Sequence, residues 1–156
     1  MSGGVAEITI AARAQDEMGI LVTGRSRYIG LRSRRPRRRG AALALVPNRN
    51  HQGSIFAGSL NAVATLAGWA VVWLALQHPA IGAAVVIQDS TIEYLAPVNQ
   101  DCFAHCGQPD ADTLDRFLQT IGRHDRARLG LTVHLLAGSG RVARFAGRYV
   151  ALRSRR

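Results

Sequence analysis

The residues whose types and spacing suit chemistry gather at one junction, where a polar turn feeds a long apolar segment. Asn50 and His51 stand in the turn, Phe56-Ala57-Gly58-Ser59 leads out of it, and Asn61 and Thr65 follow inside the segment. If that segment is a helix, its first backbone N–H groups have no intrahelical partner and lie at the positive end of the helix dipole. Gly58 has no side chain, so a ligand can come close to them. Donors of this kind polarise a carbonyl and hold the oxyanion that forms when a nucleophile attacks it. Phe56, Ser59, Asn61 and Thr65 are suited to lining a bound substrate, with Ser54 or Ser59 first a candidate helix cap. There is no G-x-S-x-G elbow, so a serine nucleophile is not expected.

A water nucleophile needs a base. From Asn50 to Gln88 the chain has no Asp, Glu, Lys or Arg, and Asp89 is the first charge after that stretch. Asp89 is therefore the leading candidate, with a salt bridge to one of the arginines as its structural alternative. His51 is the second candidate, because imidazole suits proton transfer near neutral pH. Strict alternation along the strand expected at Ala83 to Leu95 puts Val85, Ile87, Asp89, Thr91 and Glu93 on one face and Val86, Gln88, Ser90, Ile92 and Tyr94 on the other. His105, His124 and His134 show no metal-site spacing. Cys102 and Cys106 fall in a strand-like run and read as free buried thiols rather than metal ligands, so no metal is expected.

The elements that must position these groups follow from pattern. Ile20 to Val22 and Tyr28 to Leu31 suit early strands, and Ala41 to Val46 suits a strand that Pro47 closes. The helix is expected from Ser59 to Leu76, before Pro79, which cannot continue it. Ile55 to Leu76 is long and apolar enough to raise a membrane span. The small residues, the polar groups near its start and the strand pattern beyond Ala83 favour a buried core helix, with Trp69 and Trp73 packing on one side. Further expectations are a strand at Cys102 to Cys106, a short helix capped by Asp112 and ended by Gly122, and a hairpin of Ala127 to Ala137 with Arg141 to Leu152. Together they predict an α+β fold, an antiparallel sheet wrapped around one long central apolar helix, with a short second helix.

At 156 residues one domain is the default, with residues 1–40 as an N-terminal segment or extension and 41–156 as the domain. Two cysteines and no basic, apolar leader suggest a reduced, cytoplasmic protein. All 20 basic residues are arginine, giving a net charge of +10, and eight of them lie between Arg25 and Arg39. A charge of this sign attracts anionic partners. Nucleic acid is not expected, since no recognition helix, aromatic platform or zinc finger accompanies the run.

The spacing N-x-N-x-x-G-S-x-F-x-G-S-L from Asn48 to Leu60, with Leu66-Ala67-Gly68-Trp69, resembles the thioesterase family known as the YiiD C-terminal domain. The likeness continues through Ile87-Gln88-Asp89-Ser90, Tyr94 to Val98, Arg126-Ala127-Arg128 and Phe145 to Ala151. It implies the hotdog fold and a homodimer or dimer of dimers, with sheets joined edge to edge and acyl-thioester sites between subunits. The implied activity is hydrolysis of an acyl-CoA or acyl-carrier-protein thioester, coenzyme A being part of the substrate and no separate cofactor being needed. In the related phenylacetyl-CoA type, a histidine and a helix acid serve catalysis; here Phe56 and Thr65 occupy those positions, while the upstream asparagine matches Asn50, for which the resemblance implies the orienting of a water or the carbonyl. The alternative from another class is a non-catalytic acyl-thioester binding module.

Overall fold

The computed structural model describes residues 27–28, 40–77 and 79–153. Strands β1 (Arg27–Tyr28), β2 (Gly40–Leu43), β3 (Ala84–Tyr94), β4 (Cys102–Cys106), β5 (Arg126–Ala137) and β6 (Gly140–Leu152) form one antiparallel sheet in the order β1-β2-β4-β5-β6-β3. Helix α1 (Ala57–Gln77) packs across one face of this sheet, and α2 (Ala111–Arg123) packs beside β5. This is the predicted arrangement, a sheet around a central helix. The expected strands at Ile20 to Val22 and Leu31, and most of the arginine-rich run, lie outside the described residues.

α1 is helical because its interior lacks glycine clusters and proline, and it is buried because it carries no charge. Leu60, Val63, Ala64, Ala67, Val71 and Val72 reach the core from successive turns. At about 1.5 Å per residue it runs roughly 30 Å, and so crosses the sheet. It is long and apolar enough to cross a membrane, yet most of that apolar stretch is buried within the protein. The helix closes with Ala80 at φ 53°. Ile81 N–H donates to Leu76 O at 3.0 Å and Ala80 N–H to Gln77 O at 3.1 Å, the Schellman pattern with alanine where glycine is usual.

One contact fixes α1 to the sheet. Tyr149, fully buried on β6, donates its hydroxyl to the Thr65 carbonyl at 2.9 Å and lies within reach of the Trp69 backbone N–H. Gly68 makes room for it: a Cβ there would lie 2.2 Å from the phenolic oxygen. Burial pushes the Tyr149 hydroxyl well above its ordinary range, so it remains a donor. Trp69 and Trp73 stack with centroids 5.9 Å apart, as their spacing predicted.

Two sequence expectations change. The cap of α2 is Asp110, whose carboxylate accepts from Thr113 N–H at 2.8 Å; Asp112 falls inside the first turn instead. Alternation on β3 is broken at Gln88, where the register with β6 shifts between Ile87 and Asp89. The extra residue is a bulge, and it moves every later side chain to the opposite face from that predicted.

Cys102 and Cys106 point into the core and are free thiols. Burial pushes Cys106 up to about 12, and burial with the nearby Asp101 carboxylate pushes Cys102 up to about 11. Thiolate is the reactive form, so neither should react with a disulfide reagent at neutral pH while the protein is folded. We expect both to be modified only after addition of denaturant; rapid labelling of the native protein would contradict this placement.

Candidate active site

The turn before α1 is built by one side chain. Asn50 Oδ1 accepts from the backbone N–H of Gln52 at 2.9 Å and of Ser54 at 3.2 Å, and its Nδ2 donates to Ser54 Oγ at 3.0 Å. The Asn50 N–H donates to Ser54 O at 2.8 Å, and Gly53 supplies φ +85°. Asn50 is therefore occupied in shaping the turn, and Ser54 belongs to the same network rather than capping the helix. His51 stands exposed in this turn. Asn48, buried and donating to Ala44 O at 2.9 Å, anchors the segment from below; nothing in its sequence context marked it as structural.

The chain then enters α1 with no acidic residue in the first turn. Ile55 N–H donates to Val98 O and Phe56 N–H to Asn48 O, both at 2.8 Å, while Ser59 N–H and Leu60 N–H return to Phe56 O. The amides of Ala57 and Gly58 have no acceptor among the described residues. The open donors are thus Ala57 and Gly58, because the helix starts at Ala57, two residues before the expected Ser59. Phe56 is exposed, and its ring lies over Gly58, where a Cβ would meet Cε1 at 2.3 Å.

From this end a partly exposed stripe runs along α1 through Gly58, Asn61, Ala62 and Thr65, residues spaced to share a face. The Thr65 hydroxyl donates back to Asn61 O at 2.9 Å. β3 borders the stripe and is tied to α1 twice, by Tyr94 Oη donating to Ala57 O and Trp69 Nε1 donating to Val85 O, each at 3.0 Å. Between these ties the inner face of β3 shows Ile87, Ser90 and Ile92, because Ile87 lies opposite Tyr149, Ser90 opposite Gly147 and Ile92 opposite Phe145. The result is a groove with open amides at one end, Asn61, Thr65, Ser90 and Tyr94 as polar groups, and no charged side chain among these lining residues.

Asp89 is not in that groove. The bulge turns it to the outer face of the sheet, opposite Arg148, whose Nε donates to its carboxylate at 3.0 Å. Both side chains are about half exposed, at 52%. The salt bridge to an arginine, the structural alternative for Asp89, is thus the arrangement observed, and Glu93 lies opposite Arg144 on the same outer face. Ser90 and Tyr94 are the groove residues that sequence reasoning passed over. The adjacent polar pair Gln88-Asp89 inside a β-branched run was the available sign of a bulge. Gln88 also faces outward, accepting from Arg128 Nε at 3.0 Å. Among the described residues no group of three or more His, Cys, Asp or Glu is placed to hold a metal ion.

Solved structures share this architecture. A "putative thioesterase" from Shewanella oneidensis is 26% identical over 91% of this chain and 96% of that one, with a TM-score of 0.73. A protein of unknown function from Chlorobaculum tepidum is 23% identical over 95% of this chain and 97% of that one, with a TM-score of 0.77. A "probable thioesterase" from Pseudomonas aeruginosa is 23% identical over 92% and 95%, with a TM-score of 0.70. These likenesses establish the hotdog fold. The family model described as "Putative thioesterase (yiiD_Cterm)" matches residues 37–153, which include the turn, α1, β3 and the hairpin, and the chain belongs to that family.

Proposed function

We propose that the protein hydrolyses the thioester of an acyl-CoA or acyl carrier protein, by attack of water on a carbonyl held at the start of α1. The observation that carries this is the pair of open amides, Ala57 and Gly58, at an unneutralised helix N-terminus beside an otherwise uncharged groove. The acyl chain lies along Ala62, Ile87 and Ile92. Asn61, Thr65 and Ser90 offer hydrogen bonds to the attacking water. With Asp89 paired to Arg148 on the far face, His51 becomes the candidate base, since it is the one imidazole in the segment that frames the amides. The thiol leaves as a thiolate, and the arginine-rich surface suits the phosphates of the leaving group.

The functional unit is a homodimer, and the groove is completed by a second copy. Support comes from β3, which among the described residues pairs only with β6 and exposes Val86, Ile87 and Tyr94, with Leu95 just beyond its end. An edge of this length and apolar character is a ready template for a partner strand. Two buried free thiols are consistent with a cytoplasmic setting.

The uncharged groove supports a second reading, an acyl-thioester binding module without turnover. Thiol release from a panel of acyl-CoA esters separates the two. We expect turnover in the wild type and in Asp89→Asn, and a loss of about 10²-fold or more in His51→Ala with binding retained. Turnover lost in Asp89→Asn instead would return that carboxylate to the mechanism. Binding with no turnover on any ester would establish the module.

A further inference from the structure

The outer face of the sheet, away from α1, holds a cluster that hydrolysis does not use. His105 on β4 lies directly opposite His134 on β5, which lies opposite Arg144 on β6, which lies opposite Glu93 on β3. A second bulge adds Arg141 to this row. The β5–β6 register shifts between Leu135 and Leu136, so that Leu135 opposes Ala143 while Leu136 opposes Arg141, and Val142 is the extra residue. Val142 and Ala143 are both buried, and the arginines on either side of them emerge on the same outer face. Without the bulge, residues three apart on a strand would point to opposite faces.

We propose that His105, His134, Arg141 and Arg144 form an oxyanion site for a phosphate dianion, either free or as a phosphate monoester. Arg141 and Arg144 are exposed and make no ion pair among the described residues, whereas the neighbouring Arg148 is paired with Asp89. Glu93 is the one acidic residue in the row, and it stands on the far side of Arg144 from His134. The other outer-face neighbours, Phe103, Thr132, Leu136 and Ala146, carry no charge. His134 Nδ1 is buried with no hydrogen-bond partner among the described residues, so the neutral ring keeps its proton on Nε2, which is the nitrogen that can donate to a ligand. Burial, then Arg141, Arg144 and His105, hold His134 below its ordinary range. Burial is the larger cause, and Arg141 and Arg144, with no ion pair among the described residues, add to it. A bound dianion supplies their counter-charge: by linkage it favours protonated His134, and its affinity rises as pH falls through the histidine range. The site lies on the opposite face of the sheet from the groove and stands independently of the thioesterase reading.

The test is a histidine-ring NMR titration of the full chain in chloride and in sulfate at matched ionic strength, sulfate being a dianion across the whole range. We expect about 20 mM sulfate to raise the His134 midpoint by about half a unit, which corresponds to roughly threefold tighter binding to the protonated form. Arg144→Gln, an exposed substitution, should abolish that rise and leave the thermal midpoint unchanged. Equal midpoints in sulfate and chloride, or a rise that survives in Arg144→Gln, would overturn the site. A nucleoside monophosphate that shifts His134 at lower concentration than inorganic phosphate would assign a monoester; equal potency would assign the free ion.

Discussion

Gly68→Ala should be among the most destabilising single-methyl additions in the chain, lowering stability by about 2–6 kcal/mol. The new Cβ would fall 2.2 Å from Tyr149 Oη, 2.6 Å from Cζ and 2.8 Å from Cε2. Tyr149 is wholly buried between helix and sheet, so it cannot swing aside. Overpacking of this kind costs about 1–3 kcal/mol, and a displaced phenol that loses the Thr65 carbonyl adds about 1–3 kcal/mol for the unpaired buried group. For a domain of this size the loss corresponds to a fall in thermal midpoint on the order of 10 °C. A double-mutant cycle sharpens the point. Tyr149→Phe removes the oxygen but leaves two ring carbons under 3 Å from the methyl, so Gly68→Ala/Tyr149→Phe should regain only part of the loss. Full recovery would mean that the hydroxyl alone sets the spacing; strict additivity would mean that the two residues do not meet.

The largest effect on activity is expected from Gly58→Pro, with a fall in kcat of about 10²- to 10³-fold and little change in substrate binding. Proline removes one of the two open amides, and the first turn of a helix is where it costs the fold least. Gly58→Ala is the necessary control, because it keeps the N–H. Its Cβ would press on Phe56 Cε1, the far part of an exposed ring that can rotate away, so turnover within about tenfold of wild type is expected. If proline and alanine lower kcat equally, the Gly58 amide is not the oxyanion donor and crowding by Phe56 explains both.

Where the sequence had a period or a stop signal, the fold was legible. The uncharged run, Pro79 and the β-branched stretch beyond Ala83 located α1 to within two residues at its start and one at its end, and β3 to within one at each end. The strand at Cys102–Cys106 was placed on its observed bounds. The site was legible only to the turn and the helix start. Everything on β3 depended on strict alternation, and a single inserted residue at Gln88 reversed the assignment for Asp89, Ser90, Ile92 and Tyr94. A bulge has no strong local signature, because it is stabilised by pairing with a strand more than fifty residues away. The roles of Asn50 and Asp110 were hidden for a related reason. Asn and Asp near a helix start can cap, turn or bind, and only the backbone they meet decides which.

The strand order also has a consequence for how the chain assembles. The chain leaves the sheet at β2, toward one side, passes through α1 and rejoins the sheet at β3 on the opposite edge, while β4, β5 and β6 lie between them but come later in sequence. The β5–β6 hairpin is the one large pairing made between neighbours in the chain, and its loop closure costs little entropy. β3 can find its place only once β6 exists, after nearly the whole described chain has been synthesised. Until then α1 can be covered only by β2, β4 and β5, and the part of its apolar surface that meets β6 and β3 stays open. Ribosomal emergence therefore delivers the most aggregation-prone segment first and its shelter last, which makes the interval between α1 and β6 the vulnerable window of folding.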